Sequence, residues 1–218
     1  MRGKFIVIDG GEGTGTTTTS RYLAEVFGDK AIRTREPGGS PVAEKIRNDL
    51  VLADVGRHMS SEVMFTLFWG GRLDHMATTV MPALTAGKHV FCDRFDSSTW
   101  TYQLCAGNAR HLVPFFDAYR AFMRAQHAVP DHYIILDGDP AVCLARAKRR
   151  AALTGEAATH FDERELAYHD AVRAGFLEFV ERDTVPHIAT PHTIVDATKP
   201  LDEVKAEVLR IVQSVIVS

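Results

Sequence analysis

Gly10-Gly11-Glu12-Gly13-Thr14-Gly15-Thr16-Thr17 follows the apolar run Phe5–Asp9 and precedes a helical pattern beginning at Thr18. Glycines at this spacing let a chain curl so that successive N–H groups point inward at phosphate oxygens. The N-terminus of the following helix adds the positive end of its dipole. The usual phosphate loop is Gly, four residues, Gly, Lys, then Ser or Thr. Every element is present except the lysine, whose place Thr16 takes. Thr17 supplies the hydroxyl that holds Mg²⁺ in such loops. The competing reading is a Gly-rich strand-to-helix turn with no ligand.

Several other residues have types suited to anion or ring chemistry. Arg94 follows Asp93 at the end of an apolar run, and Asp9 ends the run before the glycines. Carboxylates there suit a metal or a nearby phosphate, and they equally suit the capping of a following helix. Phe68 and Arg72 lie four apart in a helical stretch, as do Thr99 and Gln103, so each pair shares a helix face. Arg146, Lys148, Arg149 and Arg150 end a helical pattern, where cations are favourable even without a ligand. The ten histidines show no metal-ligand spacing, and neither do Cys92, Cys105 and Cys143, which read as buried structural thiols.

These residues need a frame. Phe5–Asp9, Ala31–Thr34, His89–Asp93, His132–Asp137 and Thr193–Asp196 are short β-branched or aromatic runs. Continuous rather than alternating apolar runs suit strands covered on both faces, as in a parallel sheet. Between them, Thr18–Phe27, Pro41–Leu52, Ser61–Thr85, Leu112–Ala125, Ala141–Arg150, Glu163–Arg182 and Leu201–Val215 have helical patterning. Strand-helix alternation predicts an open α/β sheet with right-handed crossovers. Ligands then sit at the carboxyl ends of the strands.

Length and composition set limits. A chain of 218 residues, 45% apolar and 24% charged, suits one soluble globular domain over residues 1–218. The net charge of −3 argues against a nucleic-acid or membrane-surface binder. No apolar stretch reaches the roughly 18 residues of a membrane span. The N-terminal apolar run is too short for a signal peptide. Free cysteines suit a reducing compartment, so the expected location is cytoplasmic.

The segments IVIDGGEGTG, TREPGG (34–39), LFWGGR (67–72), PAL (82–84), DRFDSSTWTYQ (93–103), PDHYIILD (130–137) and DATKPL (196–201) occur in an order and spacing similar to the thymidylate kinase family, bacterial type. The resemblance runs from Lys4 to about Val212. It implies a P-loop nucleoside monophosphate kinase fold, a parallel sheet flanked by helices with a small lid near residues 146–162. It further implies transfer of the ATP γ-phosphoryl to dTMP with Mg²⁺, and a homodimer formed through helices of the central region.

By the same resemblance, Gly10, Glu12, Gly13, Thr14, Gly15, Thr16, Thr17 and Thr18 bind the nucleotide phosphates. Arg146, in the basic run of the lid, also binds ATP, and the loop 196–199 lies on the adenine side. Arg35 and Arg94 bind the acceptor phosphate, where planar guanidinium forks suit phosphate geometry. Phe68 stacks on thymine, Arg72, Thr99 and Gln103 read its polar edge, Pro37 packs near its methyl, and Tyr102 closes on the sugar 2′ position. Thr17, Asp9 and Asp93 surround the metal, and Arg94, Asp9, Arg149 and Arg150 serve the transfer itself. The family's acidic-arginine lid motif is represented only by Asp162-Glu163-Arg164-Glu165. Because Thr16 carries no charge, the expected activity is attenuated; two further readings stay open, a catalytically impaired nucleotide-binding homologue and a kinase for another, 5-modified deoxynucleoside monophosphate.

Overall fold

The computed structural model describes residues 2–154, 164–182 and 191–217; within these, the side chains of Arg150 and Thr154 are not described. Five strands, β1 (Phe5–Gly10), β2 (Ala31–Arg35), β3 (His89–Asp93), β4 (His132–Asp137) and β5 (His192–Asp196), form one sheet in the order β2-β3-β1-β4-β5. All four pairings are parallel. Every residue of β1 is buried, as a continuous apolar run at the centre of a parallel sheet requires. The chain leaves β1 toward β2 on one side and reaches β4 on the other. The carboxyl end of β1 is therefore the switch point at which open α/β sheets form their crevice.

Side chains of alternating parity serve two cores. Ile6 and Ile8 face α1 (Thr16–Phe27) and α9 (Leu201–Val217), with Leu23, Val204 and Val208 filling that layer. Phe5 and Val7 face the other layer. It is built on α3 (Ser61–His75), α6 (Val113–Ala125) and α8 (Leu166–Arg182) through Phe65, Trp69, Phe116, Val172 and Phe176. Trp69 and Tyr119 stack with their ring centroids 4.6 Å apart and join α3 to α6. Ser40 and Ser60 start α2 (Pro41–Lys45) and α3 as N-caps, each accepting a bond from the backbone N–H three residues on.

The strands fall within a residue of their expected places. The long helix expected over 61–85 runs without a break, but as α3, a wider-wound stretch Met76–Val80 and α4 (Met81–Thr85). The helix expected over 41–52 passes into a similar stretch at Ile46–Val51, and the segment carrying Thr99 and Gln103 combines α5 (Asp96–Thr99) with Trp100–Cys105. Such wide turns often occur at functional positions. Helix α7 (Pro140–Thr154) is one turn longer than its pattern suggested. The expected lid over 146–162 coincides with the second half of α7; its remainder, with Asp162 and Glu163, lies outside the described residues. No helix among the described residues is long and apolar enough to cross a membrane.

Candidate active site

A cavity of about 620 Å³ opens at the carboxyl ends of β1, β2 and β3. Its floor is the phosphate loop, where Glu12, Gly13, Gly15, Thr16, Thr17 and Thr18 line it. Gly13 has φ +75°, and a Cβ there would lie 2.0 Å from the Cys143 carbonyl oxygen. Only glycine therefore lets the loop pass against α7. The Thr14 hydroxyl donates to the Gly11 carbonyl at 2.8 Å and closes the turn on itself. Helix α1 then begins at Thr16, with its first backbone N–H groups lacking intrahelical partners. Those donors and the helix dipole face the cavity with no side-chain charge at position 16. Gly10 lines neither this cavity nor the small second one beside Asp137 and Arg173, which Thr14 borders.

Asp93 and Thr17 meet at the cavity wall. The Thr17 hydroxyl donates to Asp93 Oδ2 at 2.6 Å, and Arg33 Nη2 donates to the same oxygen at 3.2 Å. Asp93 Oδ1 is buried with no hydrogen-bond partner. A hydroxyl next to a carboxylate with an uncommitted, buried oxygen is the donor set Mg²⁺ prefers, one or two protein oxygens with the rest from water and phosphate. The residues present fit that ion.

Arg94 is the hub of the site. It has φ 70°, a left-handed conformation that costs a non-glycine residue about 1–3 kcal/mol and persists where its surroundings enforce it. Its Nη1 donates to the Gly10 carbonyl at 2.9 Å and to the Tyr102 hydroxyl at 3.0 Å, and its Nη2 donates to Glu12 Oε1 at 3.0 Å. Tyr102 also donates to Glu12 Oε1, at 2.9 Å. Arg35 and Arg47 approach the same cavity. Arg35 is paired with Glu44 at 2.9 Å, and Arg47 donates to the Pro37 carbonyl at 3.1 Å. Burial, then the neighbouring Arg35 charge, press the Arg47 pKa below its ordinary value. An anion placed between cations that line one cavity would relieve their repulsion. Arg21 and Arg47 also line the cavity, and an Arg inside a helical pattern has no local signature in the sequence.

The far end of the cavity is lined by Phe68, Arg72, Thr99 and Gln103, with Pro37 beside them after a cis Glu36–Pro37 bond. Arg72 is almost fully buried. Its Nε donates to Glu36 Oε2 at 2.8 Å and its Nη2 to the Thr99 hydroxyl at 3.0 Å. Its guanidinium lies 4.5 Å from the Trp69 ring centroid and 4.9 Å from that of Phe95. Arg72 Nη1 and Gln103 Oε1 are buried and have no partner. Both residues line the cavity, and the protein itself leaves these two atoms unpaired.

The remaining expected residues lie off this cavity. Asp9 sits beneath the loop, 0% exposed. Its Oδ1 accepts from Gly10 N at 2.9 Å and Ser98 Oγ at 2.8 Å, and its Oδ2 from Ser97 Oγ at 2.5 Å. Arg146 donates to the Ala197 and Thr198 carbonyls at 2.5 and 2.6 Å, which joins α7 to the loop after β5. Arg149 is exposed on α7, and the side chain of Arg150 lies outside the described residues. Cys92 and Cys143 are buried and Cys105 half-buried, all as free thiols.

A parallel sheet in this order, with a phosphate loop after β1 and an Asp-Arg pair after β3, defines a P-loop nucleoside monophosphate kinase. The Thymidylate kinase family profile matches residues 8–208. The thymidylate kinase of Magnetococcus marinus is 35% identical over 98% of this chain and 97% of its own length. That of Ruegeria pomeroyi is 38% identical over 96% of this chain and 94% of its own. The crystal structure of thymidylate kinase from Ehrlichia chaffeensis superposes with a TM-score of 0.70 over 97% of this chain and all of that one, at 24% identity, so it supports the fold. The chain belongs to the thymidylate kinase family.

Burial pushes the Asp9 carboxyl up to about 6, against the pull of the Arg94 charge and of the bonds from Ser97, Gly10 and Ser98. Its neutral form is thus favoured by folding. That contribution is whole below pH 4 and is lost as pH rises through about 6. Asp9→Asn cannot ionise. Its stability relative to wild type should therefore rise by roughly 2–3 kcal/mol between pH 4 and 7. Urea denaturation across that range measures it; a pH-independent difference would show that Asp9 titrates normally.

Proposed function

We infer that this protein is a dTMP kinase, transferring the γ-phosphoryl of ATP to dTMP to give dTDP. The observation that carries the base assignment is the pair of uncommitted atoms at the far end of the cavity, the donor Arg72 Nη1 and the acceptor Gln103 Oε1. Thymine presents a carbonyl at C4 and an N–H at N3, the complement of that pair. Cytosine presents an amine and a bare ring nitrogen; the Gln103 amide can turn its nitrogen to the latter, but Arg72, which only donates, would be left unsatisfied against the amine at about 1–3 kcal/mol. Family membership favours this reading over a binding-only homologue and over other deoxynucleotides.

The rest of the assignment follows the cavity inward. Phe68 stacks on the base, Pro37 lies beside its methyl, and Tyr102 borders the sugar. Arg35, Arg47 and Arg94 bind the acceptor phosphate. The loop N–H groups and the start of α1 bind the phosphates of ATP, and Arg146 holds the 196–199 loop on the adenine side. Thr17 and Asp93 hold Mg²⁺, with Asp9 as the buried anchor of the segment after Arg94. That ion, when bound, neutralises charge on the phosphates. Arg149 and Arg150, carried at the end of α7, act on the transferring group and exclude water. No protein nucleophile is needed, because phosphoryl transfer asks mainly for alignment and charge neutralisation. Phe115 and Phe122 on α6 are 60% and 53% exposed, seven residues apart and so on one face, beside α3. This supports a homodimer through these helices; sedimentation showing only monomer at micromolar protein would end that part of the proposal.

Thr16 sets the expected rate. Ground-state ATP binding rests largely on backbone N–H groups, whereas the lysine's contribution grows as charge moves toward the β–γ bridge. Thr16→Lys should raise kcat by about 10²-fold or more while the dTMP Kd changes little. A coupled ADP-release assay on both forms, with dTMP, dUMP and dCMP as acceptors, tests the reading. No turnover of dTMP by the Thr16→Lys protein would contradict the kinase assignment. A kcat within a few-fold of wild type would mean that arginines already supply the missing charge.

A further inference from the structure

We propose that His75 is a positioning residue for the base-reading guanidinium of Arg72. The proposal rests on the base pocket assigned above. His75 lies one turn after Arg72 on α3, so the two share a helix face, and it is 0% exposed. Its Nδ1 is 3.0 Å from Glu36 Oε1, and its Nε2 is 2.7 Å from the Thr34 hydroxyl. Glu36 uses its other oxygen for Arg72 Nε, at 2.8 Å. A buried chain therefore runs Thr34, His75, Glu36, Arg72, Thr99. It links β2, α3 and α5 and ends at the one Arg72 nitrogen left without a partner.

The imidazole decides how the carboxylate grips the guanidinium. With Oε1 committed to His75, Glu36 presents a single oxygen to Arg72. Arg72 Nη2 then remains on Thr99, and Nη1 remains without a protein partner. Were Oε1 free, the carboxylate would grip the guanidinium side-on through Nε and Nη2, the bidentate geometry that Arg and carboxylates prefer. That would draw Nη2 from Thr99 and rotate Nη1 away from the base. The surrounding backbone is fitted to this chain. Gly39 has φ +81°, and a Cβ there would lie 2.4 Å from the Thr34 hydroxyl oxygen and 2.6 Å from His75 Nε2. The last glycine of the TREPGG segment thus leaves room for the histidine.

The test compares dTMP and dCMP in calorimetric titration and in steady-state kinetics for His75→Leu, His75→Asn and Thr34→Val, with Arg72→Ala alongside. His75→Leu removes both ring nitrogens. Its dTMP Kd should rise on the order of tenfold and its preference for dTMP over dCMP should fall by a similar factor. Its saturating kcat and its ATP affinity should stay within a few-fold of wild type. His75→Asn, whose amide nitrogen can replace Nδ1 at Glu36, should recover most of the preference. Thr34→Val should lower it less than His75→Leu does. Unchanged preference in a folded His75→Leu protein overturns the proposal, as does equal loss of ATP and dTMP affinity. If His75→Leu fails to fold, wild-type preference in Thr34→Val overturns it. Arg72→Ala separates the two levels. Unchanged preference there overturns the base pocket itself, whereas lost preference there beside normal His75 variants overturns only the role of His75.

Discussion

The Arg94 guanidinium ties the phosphate loop to the segment 94–102, more than 80 residues away in sequence. It bonds the Gly10 carbonyl and the Glu12 carboxylate of the phosphate loop and the Tyr102 hydroxyl of the segment after α5. The loop is thereby fixed relative to the segment on the other side of the cavity. The left-handed backbone at position 94 is the local cost of aiming a side chain back across the end of β1. Phosphoryl transfer requires the attacking and leaving oxygens in line, so relative position of the two sites is the quantity the fold must control.

The sheet order supplies that control. Because β1 lies between β3 and β4, the phosphate loop and the Asp93–Arg94 pair emerge side by side. Alternate side chains of β1 are locked into separate cores above and below, which leaves its carboxyl end no freedom to shift. Buried Asp9 completes the junction by accepting bonds from Gly10, Ser97 and Ser98. Its raised pKa reflects a carboxylate chosen for bonding geometry at the expense of solvation.

Much of this was legible in the sequence, and the reasons are local. The five strands announce themselves as apolar runs because parallel strands are buried on both faces. The loop is recognisable because its chemistry demands glycines at fixed spacing. Helical spacing puts Phe68 with Arg72, and Thr99 with Gln103, on shared faces, the family resemblance makes them site candidates, and all four line the cavity. What stayed hidden depends on three-dimensional neighbours. Glu36 and His75 have no spacing that connects them, since their link runs between β2 and α3. All ten histidines read as ordinary, and His75 became distinctive only once both of its nitrogens had partners. Arg33 is bonded to Asp93, 60 residues away in sequence. Asp9 reads as a strand-end ligand, yet its side chain turns beneath the loop.

The most direct measurement is steady-state kinetics of Arg94→Ala and Arg94→Lys with ATP and dTMP, accompanied by thermal unfolding. If a planar fork must hold Glu12 and Tyr102 while facing the acceptor phosphate, Arg94→Ala should lower kcat/KM by roughly 10²-fold or more. Arg94→Lys should recover only a small part of that, because an ammonium cannot reproduce the divergent bonds. Near-normal kcat/KM in a folded Arg94→Lys protein would show that a point charge suffices and would contradict the account.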